Sequence, residues 1–150
     1  MASTANLTVY DGAVTPVLHT LLPVDVSREG RKDVASWREQ VATVPVGAQV
    51  VASMTLELLK SGVYVVSQKT VVPTMESTAG ANSSGYTAPP KLAFADTLVT
   101  TGFFSPRSTE NSRRLALQLH TNLLGGVNGS VLPISTGPAI DLFAKILMPT

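Results

Sequence analysis

Residues 47–76 constrain the fold most, because they read as two consecutive β-strands, the first with side chains that alternate with a period of two. Gln49, Val51, Ser53, Thr55 and Glu57 interleave with Val50, Ala52, Met54, Leu56 and Leu58, the mark of a strand with one wetted and one buried face. After Lys60-Ser61-Gly62 a second β-rich run, Val63 to Val72, closes at Pro73. Two such runs joined by a short Gly-containing loop read as an antiparallel hairpin. Its polar face carries hydroxyls, amides and a single Lys, which suits a binding platform better than an active site.

Asn6 to Tyr10 and Ala13 to Leu22 flank Asp11-Gly12, a short hairpin signal, and Pro16 inside the second run predicts an edge strand. Residues 23–33 hold Asp25, Arg28, Glu29, Arg31, Lys32 and Asp33 and read as a loop or irregular edge. Val34 to Arg38 alternates again, with Ala35 and Trp37 on one face and Val34, Ser36 and Arg38 on the other. A 15-residue segment from Glu76 to Pro90, rich in Ser, Thr, Ala and Gly, reads as a functional loop, and Lys91 to Phe104 as a further strand. Ser108 or Thr109 can cap a helix with Glu110 in its first turn. Leu115, Leu119 and Leu123 lie at i, i+4 and i+8 of that helix, widened by Ala116 and Leu124, and Gly125-Gly126 supplies the stop. Gly137-Pro138 opens a second helix whose apolar face is Ile140, Phe143, Ala144 and Leu147. Strands followed by segregated helices imply an α+β fold, an antiparallel sheet covered on one face. Its parts are an N-terminal hairpin (1–22), a main sheet (34–104, with the loop at 76–90) and a helical C-terminal part (108–148), forming one domain over residues 1–150.

Composition narrows the function. Charged residues make up 14% of the chain and apolar ones 44%, with a mean hydropathy of +0.24, against roughly 25% charged in an ordinary soluble domain. A chain so poor in charge hides additional surface against copies of itself or a partner; a merely greasy monomer is the other reading. No apolar run approaches the ~18 residues a spanning helix needs, and nothing at Met1 to Asn6 resembles a secretion signal. The net charge of +1 announces no nucleic-acid partner by itself, and the absence of Cys excludes disulfides and thiolate metal sites.

Motifs for catalysis are missing. His19 and His120 are the two histidines, and neither sits in an HxxxH or HExxH pattern. There is no GxSxG elbow and no Gly-rich phosphate loop. Metal sites, catalytic residues and cofactors are therefore not expected. Arg113-Arg114 reads either as a phosphate contact or as a solvated helix face. The sheet's polar face remains. Ser53 and Thr55 point the same way as Ser67 and Lys69, Val34, Ser36 and Arg38 extend that surface, and Phe94 and Asp96 bound it from the later strand. Hydroxyls for base edges, a Lys for phosphate and an aromatic for stacking are what single-stranded RNA recognition uses. The same face is also the default of any half-exposed antiparallel sheet.

Several local patterns, in common order, resemble the coat proteins of single-stranded RNA bacteriophages. Val34-Ala35-Ser36-Trp37 resembles the VAxW segment of one branch. Tyr64 to Pro73 resembles another branch's strand, keeping Tyr, Val, Lys and Pro at matching spacings, and Ala93-Phe94-Ala95-Asp96 resembles the start of its last strand, with Ser108-Thr109-Glu110 then opening the helix.

That resemblance implies an interlocked homodimer. Two five-stranded sheets would join edge to edge into ten continuous strands, with each subunit's helices lying across the partner's sheet and Leu115, Leu119 and Leu123 in the interface. It implies an icosahedral shell around single-stranded genomic RNA, assembled in the bacterial host cytoplasm, and an inner sheet face that binds an RNA hairpin and represses replicase translation. By matched position Ser67 and Lys69 fall where the family contacts RNA. Val34 falls where an apolar residue packs on a base, Phe94 where a Tyr stacks, and Asp96 where an Asp or Asn touches a base edge. Ser53 and Thr55 stand for a hydroxyl pair, reached through a one-residue gap; Arg38 joins the set by alternation alone. The segment from Ser77 to Thr87 corresponds to the loop that meets neighbours around symmetry axes. The alternative is a non-viral dimeric RNA-binding regulator on the same plan.

Overall fold

The computed structural model describes residues 4–76, 85, 91–127, 129 and 136–148. Six strands form one antiparallel sheet in sequence order: β1 (Leu7–Tyr10), β2 (Leu18–Glu29), β3 (Lys32–Glu39), β4 (Val51–Leu58), β5 (Tyr64–Met75) and β6 (Leu92–Phe104). Helix α1 (Glu110–Leu124) follows, then α2 (Pro138–Ile140), which runs on as a π-helical turn, Asp141–Lys145. The α+β class holds, but the sheet has six strands where five plus a separate hairpin were expected.

The difference lies in β2. Residues 23–29, expected to be a loop, continue the strand: the register with β3 shifts between Pro23 and Asp25, and pairing resumes to Glu29↔Lys32. A two-residue turn follows, with Gly30 at a φ of +63°, a backbone region that tight hairpins need and that glycine enters without steric cost. This end of the sheet is solvated on both faces, so charges are tolerated and no alternation marks the strand. Arg28 and Asp33 sit directly opposite one another, 3.2 Å apart. The N-terminal connection is also longer than Asp11-Gly12 suggested. Asp11 closes a loop that ends at Val17 by accepting hydrogen bonds from Val17 N (2.9 Å) and Ala13 N (3.3 Å), so Pro16 lies in the loop and not in a strand. Pro73 does not end β5, which continues to Met75. The β4 ladder has already stopped at Val51↔Val71, so no donor is needed on that side.

One face of the sheet carries the core. Ala35, Trp37, Met54 and Val66 are buried there against Leu142 and Phe143 of the C-terminal helical turn, with Leu117 of α1 packed alongside. Phe104 meets Phe143 edge-on, ring centroids 6.5 Å apart, a favoured aromatic geometry. Trp37 donates from Nε1 to the Ala5 carbonyl at 3.1 Å, tying the N-terminal segment down. Gln49, expected on the wetted face, is buried, and its Nε2 donates to the carbonyls of Val41 and Val44, both at 3.1 Å.

Helix α1 begins and stops as expected, and the second helix begins as expected but ends at Lys145, short of Leu147. Thr109 caps α1 by accepting from Ser112 N at 3.3 Å, and Gly126, at a φ of +62°, ends it. Pro138 opens α2, and Ile140, Phe143 and Ala144 are buried; Leu142 is buried as well, while Leu147 is exposed. Most of the expected loop at 76–90 lies outside the described residues; at its base Glu76 N donates to the Lys91 carbonyl at 2.8 Å.

Candidate nucleic-acid interface and assembly surface

The sheet's free face can be built row by row, because in an antiparallel ladder directly opposed residues point the same way. Ser27, Val34, Thr55, Ser67 and Thr101 form one row across β2 to β6. Asp25, Ser36, Ser53, Lys69 and Val99 form the next, and Leu22, Arg38, Val51, Val71 and Thr97 the one after. Rows on one face are about 7 Å apart and neighbouring strands about 4.8 Å. Six of the eight residues expected to meet RNA therefore share one face: Val34, Arg38, Ser53, Thr55, Ser67 and Lys69. Thr101 donates to the Ser67 hydroxyl at 3.3 Å.

Phe94 and Asp96 do not join them. They pair with Thr74 and Val72, which share the parity of Gln68 and Thr70 and so face the helices. The physical reason is the period of two: matching β6 one residue off turns each of its side chains to the other side. Ala95, Thr97, Val99, Thr101 and Phe103 are residues β6 contributes to the polar face. Sequence alone offers no signal for this, since both sets in β6 mix apolar and hydroxyl side chains.

Charge on the polar face is nearly balanced. Lys32, Arg38 and Lys69 share it with Asp25, Glu29 and Glu57. The acids lie toward β2 and the turn end of the sheet. Lys69 has Ser53 and Val99 across the ladder and no acid beside it. Asp25, three strands away, is about 14 Å distant by strand spacing, beyond the screening length of physiological salt. The central patch is thus a lone exposed cation among hydroxyls and Val side chains.

The helix-bearing face is unfinished. Helix α1 has no fully buried residue: Leu117 points to the core, while Leu115, Leu119 and Leu123 are 61%, 55% and 81% exposed. On the sheet beside it Phe94 and Leu98 are 55% and 69% exposed. Toward β1 an open groove of about 430 Å³ runs between Leu7, Val9, Leu21, Ala52 and Val72.

The arginine pair of α1 is engaged structurally. Arg113 donates from Nε to the Ala144 carbonyl (2.7 Å) and from Nη1 to the Ser108 carbonyl (2.6 Å), pinning α1 to the C-terminal helical turn. Arg114 pairs with Glu110 at 2.7 Å. His120 is exposed on α1. His19 bonds Glu39 and lies beside Asp11. Among the described residues no cluster could hold a metal ion, and no helix is long and apolar enough to cross a membrane.

Comparison with known proteins agrees with this architecture. The levivirus coat protein family model matches residues 2–140. The fold is similar to that of the virus-like particle of bacteriophage EMS014, at 28% identity over 99% of each chain with a TM-score of 0.71. The virus-like particle of bacteriophage ESE058 shares it at 20% identity over 97% of this chain and 98% of that one (TM-score 0.70). That of Beihai levi-like virus 21 shares it at 22% identity over 97% and 96% (TM-score 0.64). No curated protein sequence matches the chain. With six strands, a free helix-bearing face and a family match spanning nearly its whole length, the chain belongs to the levivirus coat protein family: it is a capsid protein, a structural component of a phage virion and not an enzyme.

Proposed function

We propose that two copies of this chain interlock as a dimer and that dimers close into an icosahedral shell around single-stranded RNA, with an RNA hairpin bound on the polar sheet face. The unfinished helix-bearing face carries the proposal. Leu115, Leu119 and Leu123 form an apolar stripe without cover, and Phe94, Leu98 and the groove beside β1 form an apolar surface without a helix. Two copies exchanging helices satisfy both at once. Strand β6 supports the same arrangement, since at 13 residues it is a long outer strand, and an unpaired edge of that length is a template for another strand. Pairing two β6 edges joins two six-stranded sheets into twelve strands, where five-stranded subunits would have made ten.

For RNA, the support is the grouping of Val34, Arg38, Ser53, Thr55, Ser67 and Lys69. Hydroxyls in adjacent rows suit base edges, Val34 offers an apolar contact, and Lys69 a phosphate contact. Phe94 is assigned to the dimer surface instead, and Asp96 goes with it. Repression of replicase translation would follow if the bound hairpin spans that gene's start.

Electron microscopy of the purified chain tests the shell: uniform closed particles are expected, and dimers alone would overturn it in favour of a regulator. For the RNA face, Lys69→Ala is expected to weaken hairpin binding and to lower the salt slope by about 1, as loss of one phosphate contact does, while particles still form. Unchanged affinity would remove Lys69 from the site.

A further inference from the structure

Three ionisable side chains from separate segments meet at the N-terminal edge of the sheet. His19 of β2 places Nδ1 2.9 Å from Glu39 Oε1, at the end of β3, and Nε2 3.7 Å from Asp11 Oδ2, in the β1–β2 loop. Their side chains are 30%, 16% and 35% exposed, and His19 and Asp11 line the open groove. A neutral imidazole has one donor nitrogen and one acceptor nitrogen, whereas an ionised carboxylate only accepts. With carboxylates at both nitrogens, a neutral ring would aim a lone pair at one of them. The imidazolium satisfies both.

Resting on the dimer reading, we infer that His19, Glu39 and Asp11 are a protonation latch at the rim of the groove that couples pairing of two copies to pH. In a single copy water screens the cluster. A second copy's helix over the groove would displace that water. Covering a neutral His19 would bury two uncompensated carboxylates, while covering the imidazolium leaves one, so burial selects the protonated ring. Pairing then takes up to one proton per subunit at pH values where the free copy has lost it. The hydrogen bond to Glu39, opposed by desolvation, raises the His19 pKa above 6.5. The latch is therefore complete below the raised pKa of the free copy and is lost as pH climbs from there through the still higher value of the paired state. The bond from Val17 N lowers the Asp11 pKa below 3.8, so Asp11 stays ionised throughout that window. The other groups at the groove are Tyr10 on β1 and the uncharged Val50, Ala52, Gln68, Thr70 and Val72. The incoming helix would bring Glu110, Arg113, Arg114 and His120. The first three are already bonded within their own subunit, which leaves His120 as the competing titrating group.

Sedimentation equilibrium between pH 6 and pH 9 tests the latch in the native chain and in His19→Gln, Glu39→Gln and His120→Gln. Native dimers are expected to loosen by up to about tenfold per pH unit for each proton coupled. His19→Gln should flatten the profile, Glu39→Gln should move it to lower pH, and His120→Gln should leave it as in the native chain. Should His19→Gln misfold, the Glu39→Gln shift alone decides. A native dimer whose profile survives His19→Gln, or follows His120 instead, overturns the latch while leaving the dimer intact. A native chain that is monomeric at every pH overturns the dimer and the coupling together.

Discussion

Replacing Leu119 isolates the surface on which two copies are proposed to meet. In a single chain this side chain is 55% exposed, so cutting it back costs one copy little. In the proposed dimer the remaining half of its area would be buried. Full burial of a Leu side chain contributes about 1.5–3 kcal/mol, so the half still exposed accounts for roughly 1–1.5 kcal/mol per copy at that scale. Twofold symmetry presents Leu119 twice. Leu119→Ala should therefore cost about 2–3 kcal/mol of association, a rise in Kd of roughly 30- to 150-fold. Ala is also the best helix former, so weakened pairing could not be blamed on α1 melting. Leu119→Asp adds a charge that the partner would have to desolvate, at several kcal/mol per ion, and no dimer should form at micromolar concentration. Sedimentation velocity over a dilution series measures the association, and emission from the fully buried Trp37 reports whether the core persists. Leu119→Asp chains that sediment as dimers with native affinity would refute the stripe as an interface.

Two further substitutions probe the placement of neighbouring groups. Phe94→Ala should weaken dimerisation by about 1–2 kcal/mol, the part of an aromatic side chain's burial that is still exposed in one copy, and leave RNA affinity unchanged; lost RNA binding with intact dimers would put Phe94 back on the polar face. Trp37→Phe removes ring volume from a site with no solvent exposure and the Nε1 hydrogen bond to the Ala5 carbonyl, so the urea midpoint should fall by an amount equivalent to about 2 kcal/mol, and an unchanged midpoint would contradict this packing.

The alternation from Val34 to Arg38 and through β4 and β5 was readable because one face of those strands is buried and the other wet: Trp37, Met54 and Val66 disappear into the core while Ser36, Ser53 and Lys69 do not. Helix α1 was readable from its ends, Thr109 and Gly125-Gly126, and from its Leu spacing. Where both faces meet solvent the pattern vanished. The charged end of β2 looked like a loop because nothing there required an apolar side, and β6 carried no parity because its first eight residues are exposed whichever face they occupy. Family likeness could not repair that, since a match displaced by one residue in β6 preserves composition and reverses orientation. The His19 cluster left no local trace, because its members stand eight and twenty residues from the histidine and meet only through the β1–β2 loop and the β2–β3 pairing.

Helix α1 raises a stability question whose answer bears on assembly. It has 15 residues, none fully buried, and a helix of that length is marginal in water by itself. Its internal support is modest: the Thr109 cap, about 1 kcal/mol, the exposed Arg114–Glu110 pair, a few tenths of a kcal/mol, and Leu117 on the core. The Arg113 bonds to Ala144 and Ser108 anchor one end only. The distal half, with Leu119, Leu123 and Leu124 all exposed, has little to hold it in a lone chain. Packing of an amphipathic face supplies most helical stability in proteins, and in the proposed dimer the uncovered sheet of a second copy would supply an apolar face for this half. A subunit whose helix α1 is completed by its twin would couple ordering to pairing, so that under the proposed function a shell would be built from dimers rather than from single chains.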